Sequence, residues 1–384
     1  MNAHLTCRRL TLISCAVGVA VLVSACSSGG TTSNGAAAKQ VTVGMLQPLT
    51  GDSAAVGLTG RQGAELAIQE LNDAGGVNGV KINLDVLDSA GDVTTGTNAY
   101  TKLLADKPAA LLGPNISAVA LALVPQLLRS QFPMLSGALS PNLTKSNSPW
   151  VFRIRSSDAT AAQNLVDYAS TTLHLSSVAL VTEESDYGQG GLASVKAALQ
   201  AKGITPVTAV TFPANANDLS SQVLKLKQSG AASVIYWGSL SPAALFAKQA
   251  KQLGYTGTIL GSNAYTDANV LKLAGNAADG VYSVVNFIPQ GSDPTVQKFV
   301  QAYQAKYNSS PDSYAASYFD TVNLLAAAMK SGGATSKGIA DSLKTISYTG
   351  IASTYRYHDN GEMAGSQEIT QVKNGAPVVV QGSR

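Results

Sequence analysis

The residues Gly113-Pro114-Asn115-Ile116-Ser117 invite a chemical reading. There a short apolar run, Leu111-Leu112, hands over to a helical apolar pattern. A serine at such a junction has three possible roles: nucleophile, helix cap, or hydroxyl donor to an anion. A nucleophile needs a base. Beyond the N-terminal leader the histidines are His174 and His358, and neither sits near a Gly-x-Ser-x-Gly elbow. Cys7 and Cys15 fall in the leader and Cys26 at its end, so thiol catalysis has no candidate in the body of the chain. No Gly-x-x-x-x-Gly-Lys-Ser/Thr loop and no His/Cys/Asp cluster at metal spacing occurs. The reading is therefore of a protein that is not an enzyme and needs neither cofactor nor metal. The cap and the anion anchor stay open for Ser117.

Comparable polar groups recur where other apolar runs end. They are Ser136-Gly137-Ala138-Leu139-Ser140, Glu183-Glu184-Ser185-Asp186-Tyr187, Trp237-Gly238-Ser239 and Gly261-Ser262-Asn263-Ala264-Tyr265. Helix N-termini at such places offer free N–H groups and partial positive charge, which suits a carboxylate. Each serine alone reads as a cap; shared placement at one mouth makes a binding site. Asp85, Asp88 and Asp92 read as strand-end and cap residues. Gly188-Gln189-Gly190-Gly191 reads as a loop.

The elements that must position these groups follow a strand–helix rhythm. Val41–Leu46 reads as a strand, and Ala64, Ala67, Ile68 and Leu71 form one helical stripe. Strands follow near 80–87, 109–112 and 132–135, with helices over 92–105 and 117–130, the latter expected to kink at Pro125. After 151–155 the rhythm restarts with helices 158–173, 190–202, 217–229 and 242–253 and strands 177–182, 205–211, 232–237 and 257–260. An extended stretch, Gly280–Phe287, and helices near 293–306, 313–331 and 335–344 come next. The tail from Tyr355 to Val380 alternates around Asp359-Asn360-Gly361, a hairpin signal. Such βα repetition implies an α/β fold of two doubly wound lobes, with ligand crevices at the carboxyl ends of their strands. Facing lobes would merge these into one interdomain cleft.

Composition agrees. The 384 residues are 45% hydrophobic and 13% charged, with formal charge +3. With Arg8 and Arg9 set aside, 24 basic and 23 acidic residues remain, so nothing calls for nucleic acid. Arg8-Arg9, the apolar run Leu10–Val23 and Val23-Ser24-Ala25-Cys26 resemble a bacterial lipoprotein signal. The expectation is cleavage after residue 25, lipid on Cys26 as membrane anchor, an extracytoplasmic location and a flexible tether over 26–40.

Taken together, the body resembles the type I periplasmic-binding-protein family, in its leucine/isoleucine/valine-binding branch. The pieces that carry it are Gly44-Met45-Leu46-Gln47-Pro48-Leu49-Thr50-Gly51, Gly60-Arg61-Gln62-Gly63-Ala64-Glu65-Leu66-Ala67 and Asn72-Asp73-Ala74-Gly75-Gly76-Val77-Asn78-Gly79. Gly113–Ser117, Asp186-Tyr187-Gly188 and Lys248-Gln249-Ala250 add to them. The resemblance implies lobe 1 from 41–155 with 288–350, lobe 2 from 156–287 with 351–384, and three hinge strands near 154–158, 284–290 and 349–353. It places the ligand's carboxylate at Ser117, Ala138 and Ser140, beside Asn115, with Tyr187 across the cleft. Three positions depart from the pattern. Where the family has an acidic partner for the ligand's ammonium this chain has Asn263, with Glu183, Glu184, Asp186 and Asp267 as candidate substitutes. A first-lobe aromatic is Val56, and a second-lobe tyrosine is Ser239, with Trp237 nearby. Gly91 and Ile116 stand where some relatives have a cysteine pair. The ligand implied is an amino acid or a small carboxylate or amide, an aromatic acid stacking on Trp237, Tyr265 or Tyr314 included.

The resemblance implies a monomeric lipoprotein that closes on a small ligand and delivers it to the permease of an ABC importer. Alternatives are a cell-surface sensor of an amine-free carboxylate and an exported hydrolase.

Overall fold

The computed structural model describes residues 39–382 apart from 292 and 366. Cys26 and the expected signal and tether thus lie outside the described residues, except for Lys39 and Gln40. The first sheet is built from β1 (Lys39–Gln47), β2 (Val80–Asp88), β3 (Leu111–Leu112), β4 (Met134–Ser136) and β5 (Val151–Arg153). Its order is β2-β1-β3-β4-β5, all parallel. Interleaved are α1 (Ala54–Asp73), α2 (Val93–Leu103), α3 (Ser117–Ser130), α4 (Asn142–Lys145) and α5 (Asp158–Thr171). Successive side chains of a strand point to opposite faces. Leu112 and Leu135 therefore pack in one core with α1, and Leu111 and Met134 in another with α2 and α3.

The second sheet repeats the plan. It holds β6 (Val178–Glu183), β7 (Thr208–Phe212), β8 (Ser233–Trp237), β9 (Thr258–Gly261) and β10 (Tyr282–Val285). Its helices include α6 (Asp186–Ala201), α7 (Ser220–Ser229), α8 (Leu240–Gln252) and α9 (Ala268–Ala274). Leu180 and Ile235 face α5 and α6, while Val181 and Val234 face α7 and α8. The parallel part runs β10-β9-β8-β6-β7, the same order as the first sheet read from its far edge. Each sheet thus has one switch point, between β1 and β3 and between β6 and β8, where ligand crevices form.

The chain then returns to the first lobe. Helices α10 (Pro294–Tyr307), α11 (Ser313–Gly332) and α12 (Ser336–Leu343) follow. Val322, Leu325 and Met329 of α11 share a core with Ala64 and Ala67 of α1. A two-stranded ribbon, β11 (Ser347–Thr349) with β12 (Thr354–Arg356), precedes the hairpin of β13 (Glu368–Lys373) and β14 (Ala376–Gln381), which adds antiparallel strands to β10.

Helix α3 continues through Pro125. Two local expectations change. The segment 186–191 is the opening of α6, not a loop. Asp359-Asn360-Gly361 forms the expected hairpin turn, with Gly361 N donating to His358 O at 2.8 Å and His358 N and Arg356 N donating to Glu362 O and Met363 O across it, and a second, longer hairpin turns at Asn374-Gly375. Both residues there have positive φ, 53° and 74°, as a two-residue primed turn demands. Finally, Tyr355, Met363 and Ala364 pack in the first core, so the stretch from 351 sits with the first sheet, and the chain joins the second sheet only at Glu368.

Candidate functional site

At the first switch point β1 ends in Gln47 and the β3–α3 turn carries Asn115 and Ser117. Gln47 is fully buried, and neither oxygen nor nitrogen of its amide has a partner in the protein. Asn115 is held from two sides: Tyr318 Oη donates to its Oδ1 at 3.1 Å, and its Nδ2 donates to Val56 O at 3.4 Å. Asn115 thus ties the β3–α3 turn to α1 and α11. The cap of α3 is Ile116, whose side chain can supply no acceptor, and Ser117 is already the first helical residue. The cap reading of Ser117 is therefore corrected. Its hydroxyl instead accepts from Ser140 N at 3.3 Å, joining the ends of β3 and β4. Without a side-chain cap, the first-turn N–H groups of α3 are left for another acceptor. Ala138 N donates to Ser136 Oγ at 3.2 Å.

At the second switch point β6 ends in Glu183, which is buried. Both the N–H and the hydroxyl of Ser239 donate to its carboxylate, the N–H at 2.7 Å. Ser239 is thus committed to Glu183 at the start of α8. Ser185 caps α6 by accepting from Gly188 N at 3.1 Å. This cap sets Tyr187 in the first turn, half-buried. Burial, then the nearby Asp158, pushes its phenol well above the ordinary value, while a hydrogen bond from Ser262 opposes them. Two glycines of α6 permit close approach. A Cβ on Gly191 would lie 2.0 Å from the Trp237 ring, and one on Gly190 3.2 Å from Ser140 Oγ. Gly190 therefore brings the second lobe directly onto the Ser117–Ser140 corner of the first.

Of the proposed acidic substitutes, Glu184 and Asp186 are exposed, and Asp267 caps α9 through Asn269 N and Val270 N. Tyr265 belongs to the second core. It is fully buried, its hydroxyl donates to Ala243 O at 3.1 Å, and its ring meets Tyr236 edge-on. That removes it as an aromatic wall.

Between the lobes lies a narrow cavity of about 20 Å³, partly open to solvent. Trp237, Asn263 and Ser262 line it from the second sheet and Leu139 from the first. The other walls come from the chain's three passages between lobes: Arg155, Ser156 and Asp158; Asn286; and Gln367. Ile154 packs with the first sheet and Ala161 with the second, Val284 with the second and Phe287 with α10, and Ala364 with the first and Ile369 with the second. These anchors locate the passages.

Two charged residues here escaped the sequence reading. Asp158 is 1% exposed; its Oδ2 and the Trp237 indole N–H face each other, and neither makes a well-formed hydrogen bond to the rest of the protein. Burial pushes the Asp158 carboxyl well above its ordinary range, against the opposing pull of Arg153, Trp237 and Arg155. Arg155 is 3% exposed, and its guanidinium carbon lies 4.2 Å from the centre of the Tyr314 ring. Arg153, two positions earlier, is saturated: it pairs with Glu362, donates to Ser140 O at 2.7 Å and to Thr144 Oγ1 at 3.0 Å. Neither Arg155 nor Asp158 belongs to a local motif, so only their burial marks them. Among the described residues no group of His, Cys, Asp and Glu is placed to hold a metal ion.

Comparison with known proteins gives consistent matches. A sequence profile described as periplasmic binding protein covers residues 40–377. The Leu/Ile/Val-binding protein homolog 3 of Brucella melitensis is 28% identical over 306 residues, 79% of this chain and 83% of that protein. The leucine-binding protein LivK of Thermotoga maritima superposes with a TM-score of 0.81 at 26% identity, covering 88% of this chain and 97% of that one. The branched-chain amino acid transporter substrate-binding protein LivJ of Streptococcus pneumoniae, solved with isoleucine, also gives 0.81 at 26% identity, over 89% of this chain and all of that one.

Proposed function

The chain belongs to the periplasmic binding protein family, and on that premise we propose that it is the extracytoplasmic substrate-binding component of an ABC importer. Its ligand is an amino acid of branched-chain type or a related small carboxylate or amide. The observation that carries this reading is the convergence of unfilled polar groups on one interlobe space. Asp158 Oδ2, Trp237 Nε1 and Arg155 Nε belong to residues that line it and make no well-formed hydrogen bond to the protein, in a molecule where buried polar groups are normally satisfied. Similarity to a protein solved with isoleucine supports the ligand class.

The mechanism is hinge closure. Lobe 1 comprises the first sheet with 288–364 and lobe 2 the second sheet, and they move about the passages at 155–160, 286 and 365–367. Ligand held by Ser117, Ala138 and Ser140 on one lobe meets Tyr187, Trp237 and Asn263 on the other. A bound ligand favours the closed form by its differential contacts with it. The closed form is what a permease docks. Lipid on Cys26 would anchor a monomer beside that permease. The amine end, left neutral at Asn263, falls to Asp158.

Calorimetric titration with leucine, isoleucine and valine, using wild type and a Ser117→Ala/Ser140→Ala double variant, tests this reading. The double variant is expected to lose at least tenfold in affinity, about 1.4 kcal/mol or more. Unchanged affinity would show that the ligand sits elsewhere.

A further inference from the structure

Arg155 is a buried cation with unmet hydrogen-bonding capacity. Its Nε has no acceptor in the protein, and Nη2 reaches only Ser313 Oγ at 3.5 Å. The four ion pairs found among the described residues do not include it. Tyr314 supports one face of the guanidinium, which holds the planar fork in place without satisfying its N–H groups. Among the described residues that line the interlobe cavity, Arg155 is the one cation. Asp158 is the anion on the same cavity wall and feels the charge of Arg155, but no contact ion pair joins the two; a guanidinium removed from water without a hydrogen-bonded anion is unfavourable, and a carboxylate matches its fork in geometry and charge.

We propose that Arg155 is a specificity-determining residue, taking an acidic group of the ligand at the hinge end of the cleft and selecting small organic acids over their neutral amides. The proposal rests on the reading of this cleft as the ligand site, and divides the labour within it. The hydroxyls and N–H groups around Ser117 and Ser140 are neutral donors. They serve a carboxylate and an amide carbonyl alike, and so contribute affinity without reading charge. Arg155 reads charge. It also stands on one of the three passages between lobes, so an acid seated there ties the ligand's charge to the hinge.

The test is the acid-to-amide affinity ratio, followed by calorimetry and by the fluorescence of Trp237 in a Trp150→Phe background. The probes are three matched pairs: leucine and leucinamide, benzoate and benzamide, and glutarate and glutaramide. For at least one pair, wild type is expected to prefer the acid by tenfold or more. Arg155→Gln is expected to remove most of that preference, and Arg155→Lys to restore part of it. Arg155→Met, which keeps the apolar stem against Tyr314, replaces the glutamine variant if that one does not fold. Ser117→Ala/Ser140→Ala is expected to weaken acid and amide together and leave their ratio in place. An unchanged ratio in the neutral Arg155 variants, or its loss in the serine variant, overturns the assignment. If wild type binds amides as tightly as acids, Arg155 is not the selector, while the cleft remains a ligand site. If none of the six compounds binds, the cleft reading fails and the assignment with it.

Discussion

Arg153 and Arg155 leave the same strand end and meet opposite fates. Arg153 is matched by Glu362 and two oxygens of the 140–144 turn. Removing one partner of such a buried pair strands the other. Glu362→Ala is expected to destabilise the fold by about 3–5 kcal/mol in urea unfolding, with Glu362→Gln milder. Asp320 gives a prediction in pH. It is buried beneath the 351–355 segment, accepting from Ile351 N and Ala352 N at 2.8 Å each and from Tyr355 Oη at 3.1 Å. Burial pushes its carboxyl up to about 7, and that of Asp312 to about 6. The folded chain therefore holds protons that the unfolded chain has released above its ordinary value of 3.8. Stability from these groups is fullest below about pH 4 and is lost as pH rises toward 7. Their contribution should appear as a melting temperature that falls between pH 5 and 8 by more in wild type than in Asp320→Asn. The asparagine variant should itself be less stable at pH 5 by about 1–3 kcal/mol, because its NH₂ faces donors. The strand–helix junctions that carry Ser117 and Tyr187 were legible in the sequence, because their apolar periods are local. Arg155, Asp158 and Asp320 were not, because what distinguishes them is burial among partners distant in the chain.

At the scale of elements, α6 carries most of what the sequence obscured. Four residues rich in glycine read as a loop, since glycine weakens a helix. Here the helix is fixed at its start by the Ser185 cap, and the glycines serve contacts that no side chain would fit. Gly190 meets Ser140 across the cleft, so a larger group there should hold the lobes apart. Gly190→Val is expected to lower ligand affinity tenfold or more while leaving the melting temperature of the ligand-free protein within a few degrees. Ligand-induced compaction in small-angle scattering should vanish with it. The βα rhythm itself was plain, because its apolar periods of 2 and 3.6 are local. The hairpin turn at Asp359-Asn360-Gly361 was legible from its turn residues. The longer one at Asn374-Gly375 was not singled out, because only the pairing of β13 with β10 marks it as the turn that joins long strands.

For the molecule as a whole, the informative feature is that two sheets with one strand order turn their switch points toward one space. The chain passes between them three times, and residues from every passage line the cavity. On the proposed reading, a ligand seated there would touch both lobes and the hinge together, so that closure and capture would be one event. This arrangement followed in outline from the repeated rhythm. The third passage did not, because residues 351–364 carry no pattern that says which core takes Tyr355 and Met363. The most direct measurement is calorimetric titration of the purified protein with leucine, isoleucine, valine and the six matched probes. The expected result is saturable one-to-one binding of at least one acid at micromolar concentration or below, abolished or weakened tenfold by Gly190→Val. No saturable heat with any of these compounds would contradict the account.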